Sequence, residues 1–201
     1  MNNDKTYRNA FILVTTLFFT WGFLTVLVDS PISRFREIFT LSYFESGLVQ
    51  FAFFGAYFLL SIPAGYILTR IGYQKGIILG LVTMAIGCFL FYPAASLRMF
   101  GLFMLGYFIL AGGMTILQVA ANPYVAALGS EETSSSRLIL SQAFNSLGTA
   151  IAPSVGAIYF LSDKILSKKE IDLLDAKSRD LYYIGEASAV QGPFIFFGCF
   201  L

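Results

Sequence analysis

The stretch TILQVAANPYVAALG, Thr115 to Gly129, is apolar enough to dissolve in lipid, yet it holds Gln118, Asn122 and Pro123 within six residues. An unpaired amide in hydrocarbon costs several kcal/mol, so two amides four residues apart on one helix face must meet neighbouring helices or a polar cavity. Pro123 has no N–H to donate and crowds the carbonyl of Val119, which frees one more acceptor beside them. Amides both donate and accept, which suits a neutral ligand that carries hydroxyl groups.

Other stretches repeat the pattern. Gln142, Asn145, Ser146 and Thr149 fall at i, i+3, i+4 and i+7; Gln50, Phe54, Tyr57 and Ser61 at i, i+4, i+7 and i+11; Trp21, Thr25 and Asp29 at i, i+4 and i+8. Four helices would each present a polar-aromatic stripe. Amide edges beside flat ring faces match a ligand that is polar at its rim and apolar on its faces, as a sugar ring is. The candidate substrate-binding residues are therefore Gln118, Asn122, Gln142, Asn145, Trp21, Gln50 and Tyr57. Each amide has a competing role as glue between helices, and the ladder Gly148, Ala152, Gly156 reads as packing. Asp29, at the margin of an apolar run, either marks a helix end in water, as Pro31 suggests, or is partly desolvated and takes up a proton. In the second case it is the candidate cation-coupling acid.

The composition sets the solvent in which these residues act. Of 201 residues, 57% are hydrophobic and 12% charged, against about 25% charged in a soluble domain. Long runs lack charge, each near the roughly 20 residues that cross a bilayer. The expected spans are 9–28, 47–69, 76–97, 99–128 and 138–162, with a sixth over 188–201. That last run is short for a crossing, so the chain is expected to continue beyond Leu201. Continuous rather than alternating hydrophobicity selects helices over barrel strands. The segment 163–187 is a long charged connection. Within it SKKE, Ser167 to Glu170, has capping-box spacing, and Ile171, Leu174 and Leu181 predict one face of a short surface helix.

Several function classes drop out. A net charge of +1 offers no footprint for nucleic acid, and Cys88 and Cys199 lie inside apolar runs as packing residues. The chain has no histidine and a single aspartate candidate at membrane depth, which argues against an intramembrane protease, and nothing in it suggests a metal framework. No cofactor or metal is implied beyond a coupling ion, and the expectation is a protein that is not an enzyme. Lysine and arginine counts leave the orientation open, because the long connection alone tips the balance.

The motifs WGFLTVLVDSPISRF, GLVQFAFFGAYFLLSIPAGYILTRIGYQKG, LQVAANPYVAALG and RLILSQAFNSLGTAIAP carry a resemblance. The chain resembles the amino-terminal half of the fucose–galactose–glucose permease group of the major facilitator superfamily, closest to its bacterial glucose/galactose transporters. The resemblance implies an all-α membrane protein: the amino-terminal six-helix bundle of a twelve-helix carrier, its sixth helix truncated. It also implies a multi-pass protein of the bacterial inner membrane, with the missing carboxy-terminal half as partner and a hexose held between the halves. The implied activity is cation-coupled hexose symport by alternating access. Asp29 matches the group's acidic residue on the first span. Gln118 stands where the fucose-specific members carry a glutamate, so a two-carboxylate scheme does not transfer, and proton coupling, sodium coupling and facilitated movement all stay open. GYILTRIGYQKG is a weak form of the superfamily loop signature, with Thr69 where aspartate is usual. The alternatives are a proton-coupled drug-type antiporter, suggested by GTAIAPSVGA, and a membrane protein that binds without transporting.

Overall fold

Apolar segments that cannot borrow hydrogen bonds from water close their backbone bonds internally, and the chain does so as helices. The computed structural model describes residues 2–27, 42–97, 99–160, 166, 170–171 and 173–201. Among them run six long helices: α1 (Asn2–Leu27), α2 (Tyr43–Ile71), α3 (Tyr73–Ser96), α4 (Phe100–Ala127), α5 (Ser134–Phe160) and α6 (Ala176–Phe200). A 3-10 turn, Glu131–Thr133, leads into α5.

Local chemistry sets the boundaries. At the start of α2 the Ser42 hydroxyl accepts the Glu45 N–H at 3.2 Å while the Glu45 carboxylate accepts the Ser42 N–H at 2.8 Å, a complete capping box. Gly72 (φ 80°) breaks α2 from α3, and Gly129 (φ 100°) turns the chain after α4, both in a region that favours glycine. At the start of α6 the Asp175 carboxylate accepts the Ser178 N–H at 3.4 Å. The last helix therefore begins at Ala176, ahead of the expected Ser188, and the later part of the charged connection runs straight into it. Ile171 is buried whereas Leu181 is 61% exposed, so the two do not share a buried face. Residues Ser167, Lys168 and Lys169 of the expected surface helix lie outside the described residues.

Four of these helices, α1 to α4, are long and apolar enough to cross a membrane over Tyr7–Leu27, Gly47–Ile71, Tyr73–Ser96 and Phe100–Ala127. The fifth, α5, carries the stripe of Gln142, Asn145, Ser146 and Thr149, which dilutes its apolar character.

The helices pack in two close pairs around a central α4. Between α3 and α4 a Cβ on Gly87 would come within 2.6 Å of the Leu110 nitrogen, and one on Gly113 within 2.5 Å of the Met84 nitrogen. Between α1 and α5 a Cβ on Gly22 would collide with the Asn145 carbonyl, and one on Gly148 with that of Phe19. Lipid tails are as apolar as leucine, so helices gain little by burying apolar surface from them. Close backbone approach through small residues supplies the contact instead. Aromatic rings fill what remains: Phe91 stacks on Phe194 at 4.1 Å, tying α3 to α6, while Tyr107 of α4 lies 5.4 Å from Phe53 of α2.

Candidate functional site

α1, α2 and α5 converge on a cleft of about 220 Å³ lined by Trp21, Gly22, Thr25, Phe53, Phe54, Tyr57, Asn145 and Thr149. Trp21, Tyr57 and Asn145 were candidates from sequence, and the fold brings them together from three separate helices. The Trp21 indole and the Tyr57 hydroxyl both line the cleft. Phe18 meets Trp21 edge-on at 5.6 Å, and Phe53 packs on Tyr57 at 5.2 Å, which holds the two amphipathic rings from behind. The Thr25 hydroxyl donates to the Trp21 carbonyl at 2.8 Å and lies 3.7 Å from the Met114 sulfur, so α4 also supports this wall.

Asn145 serves two roles. Its amide N–H donates across the helix boundary to the Phe18 carbonyl at 3.0 Å, a bond made possible because Gly22 has no side chain in the way. That bond occupies one side of the amide and leaves the Asn145 carbonyl oxygen as an acceptor for the cleft. One turn further towards the α5 start, Ser141 shares a buried hydrogen bond of 3.2 Å with Thr15 of α1.

A second polar node joins α5 to α4, where the Gln142 amide N–H donates to the Asn122 carbonyl oxygen at 3.1 Å. The Gln142 oxygen and the Asn122 N–H groups are the unspent halves of that pair. The remaining candidates are dispersed. Gln118 is half-buried one turn before Asn122, lies outside the cleft lining, and has no hydrogen-bond partner among the described residues. Gln50 is half-buried on α2, engaged in a polar or ring interaction, and also outside the lining. Asp29 lies outside the described residues.

Sequence reasoning missed Phe53 and Gly22. Phe53 stands four residues before Tyr57, a same-face spacing visible in the sequence, but the adjacent Phe54 had already filled the stripe. Gly22 carries no chemical signal of its own, and its role depends on which helix crosses it. A larger cavity of about 500 Å³ lies between α1, α5 and α6, lined by Phe23, Leu27, Val155, Gly192, Pro193, Phe196 and Phe197. No lining side chain there can hydrogen-bond, so no side chain of the cavity can orient a hydroxylated ligand.

Long apolar helices, glycine-mediated packing and amides turned into the bundle define a multi-pass α-helical membrane protein. Residues 10–165 match the model of the Major Facilitator Superfamily, and the chain belongs to that family. It is 55% identical over 194 residues to a glucose/galactose transporter of Brucella abortus, covering 96% of this chain and 44% of that protein. It is 38% identical over 193 residues to the L-fucose-proton symporter of Escherichia coli, covering 96% and 44%. Among solved structures it is similar to the Major Facilitator Superfamily transporter FucP in the outward conformation, with a TM-score of 0.85, 38% identity, and 96% of this chain and 47% of that one covered. The six-helix bundle thus has the fold of one half of such a transporter, and the chain spans under half the length of the relatives it matches. These relatives are transporters, not enzymes.

Proposed function

We propose that this chain supplies the amino-terminal half-site of a cation-coupled hexose carrier. The observation that carries the proposal is the cleft in which Trp21, Phe53 and Tyr57 set ring faces beside the Asn145 amide, within helices otherwise made to face lipid. At about 220 Å³ it is smaller than the roughly 300–1,000 Å³ of a complete small-molecule pocket. A half-site that a second surface completes has this size. The names of the relatives support glucose or galactose as the substrate class. The cleft lining holds one amide, Asn145, with hydroxyls and rings but, among the described residues, no carboxylate to attract a cationic drug, which favours sugar over the antiporter alternative.

In this proposal Asn122, Gln142 and Asn145 bond sugar hydroxyls through the amide groups left over from their helix-to-helix bonds, Trp21 and Tyr57 pack on the ring, and Gln118 and Gln50 line the path into the site. Asp29 is the proposed coupling acid. Transport by rocking one half against the other needs the carboxy-terminal half, which the protein is proposed to have in the bacterial inner membrane.

The test is hexose affinity in the complete transporter. Asn122→Ala and Gln142→Ala should each weaken glucose or galactose binding by about 1–3 kcal/mol, the cost of unpaired polar partners. Leu105→Ala, at an exposed apolar position on α4, should leave it unchanged. Equal affinities in all three would reduce the amides to helix glue.

A further inference from the structure

Arg137, in the first turn of α5, donates four side-chain hydrogen bonds. The end of α4 needs it. A helix leaves its last four carbonyls unpaired, and α4 has no basic residue in its own last turn. From the first turn of α5 the Arg137 guanidinium reaches back, donating to the Val125 carbonyl at 3.2 Å and to the Ala126 carbonyl at 2.7 Å. It also donates to the Ser130 carbonyl at 3.0 Å and the Thr133 hydroxyl at 2.6 Å, which closes the turn between the helices. The Ser134 hydroxyl adds a bond of 3.0 Å to the Ala126 carbonyl. A cation here also meets the negative end of the α4 dipole.

The same turn is held from the opposite side. Gln74, near the start of α3, donates to the Tyr124 hydroxyl at 3.1 Å. Tyr124, Val125 and Ala126 are therefore gripped by α3 and α5, immediately after Pro123. Pro123 removes one rung of the α4 ladder, so the internal bonds of α4 hold this last turn less firmly than a regular helix would. Asn122 lies on the other side of that proline. The Asn122–Gln142 bond stands about 5 Å along α4 from Val125 and about 8 Å along α5 from Arg137, at 1.5 Å per residue.

We infer that Arg137 is a positioning residue: by clasping the Val125 and Ala126 carbonyls it sets the register of α4 against α5 at which Gln142 meets Asn122. Arginine suits the task because its planar fork donates to several carbonyls at once, which a lysine ammonium on a flexible stem does not reproduce. Gly129 belongs to the same device, since a Cβ there would lie 3.2 Å from the guanidinium. The consequence for hexose binding rests on the proposed function, whereas the register itself does not.

The experiment uses the full 201-residue chain in lipid nanodiscs with Cys88→Ala and Cys199→Ser as background. Asn122→Cys with Gln142→Cys reports the α4–α5 register through a short bis-thiosulfonate cross-linker, and Thr15→Cys with Ser141→Cys reports α1–α5 as the control. Adding Arg137→Gln should abolish the first cross-link and keep the second, and Arg137→Lys should not restore the first. Retention of the first cross-link in Arg137→Gln overturns the inference. Loss of both also overturns it, because Arg137 would then support the bundle at large. A parallel measurement in the complete transporter separates the two proposals: Arg137→Gln should lower hexose affinity, and Gln142→Ala should add little to that loss. If the first cross-link is lost while affinity is unchanged, the register role stands and the hexose role of the Asn122–Gln142 pair fails.

Discussion

Two helix pairs in this bundle use the same packing device for different ends. Between α3 and α4, Gly80, Gly87, Gly106 and Gly113 bring backbones into contact along the membrane-spanning length, and the one side-chain hydrogen bond described between these helices, Gln74 to Tyr124, lies at the end. Between α1 and α5, Gly22 and Gly148 bring backbones equally close, but the contact also carries Thr15 with Ser141 and Asn145 with the Phe18 carbonyl. The first interface is a scaffold of close backbone contacts. At the second, Thr15 and Ser141 are spent on each other, whereas the bond to Phe18 uses part of the Asn145 amide and leaves the remainder for a cleft. The question of glue or ligand contact therefore has a divided answer at Asn145 and at Gln142, since one amide end is committed to a neighbouring helix and the other is available.

The comparison predicts a graded series. The largest loss of stability should come from Gly87→Ala combined with Gly113→Ala, because each new methyl meets backbone that has no room to move. At about 1–3 kcal/mol per overpacked site, the pair should lose about 2–6 kcal/mol if the sites add. Thermal unfolding in detergent measures it, and the emission of Trp21, the single tryptophan of the chain, should stay as in the parent up to the transition. Gly22→Ala should cost about 1–3 kcal/mol by the same mechanism and should in addition shift Trp21 emission to the red before unfolding, because α1 must move away from Asn145. A red shift in both variants, or in neither, would erase the distinction between scaffold and site.

The smallest effect belongs to the α2 capping box, remote from both interfaces. The Ser42 N–H and hydroxyl hold the exposed Glu45 carboxylate below its ordinary value of 4.5. A depressed carboxylate contributes stability that is present above the unfolded pKa and lost as pH falls through the folded one. Glu45→Gln should therefore lower the melting temperature slightly at neutral pH, and the gap from the parent should close in acid below the ordinary carboxylate range.

Much of this was legible in the sequence, for identifiable reasons. Charge-free runs bounded by Arg70, Lys75 and Arg137 mark helix ends, since charge is costly in lipid wherever it falls. The stripes Trp21–Thr25 and Asn145–Thr149 were visible as helical spacings, and both line the cleft. What was hidden depends on helix-to-helix registration. Spacing along α5 cannot tell that Asn145 reaches Phe18 while Gln142 reaches Asn122, nor that Gln118, one turn from Asn122, stays outside the cleft. Gly22 and Arg137 were hidden for the same reason: a glycine counts by what crosses it, and a terminal arginine by whose carbonyls it reaches.

The central claim is that the polar-aromatic cleft, not the larger apolar cavity, receives the hexose. It is tested most directly by substrate protection in the complete transporter, with one cysteine in each place: Thr149→Cys in the cleft and Val155→Cys in the cavity between α1, α5 and α6. Glucose or galactose should slow maleimide labelling at position 149 in a saturable way and leave position 155 unaffected. Protection at 155 with none at 149 would contradict the account and move the sugar to the apolar cavity.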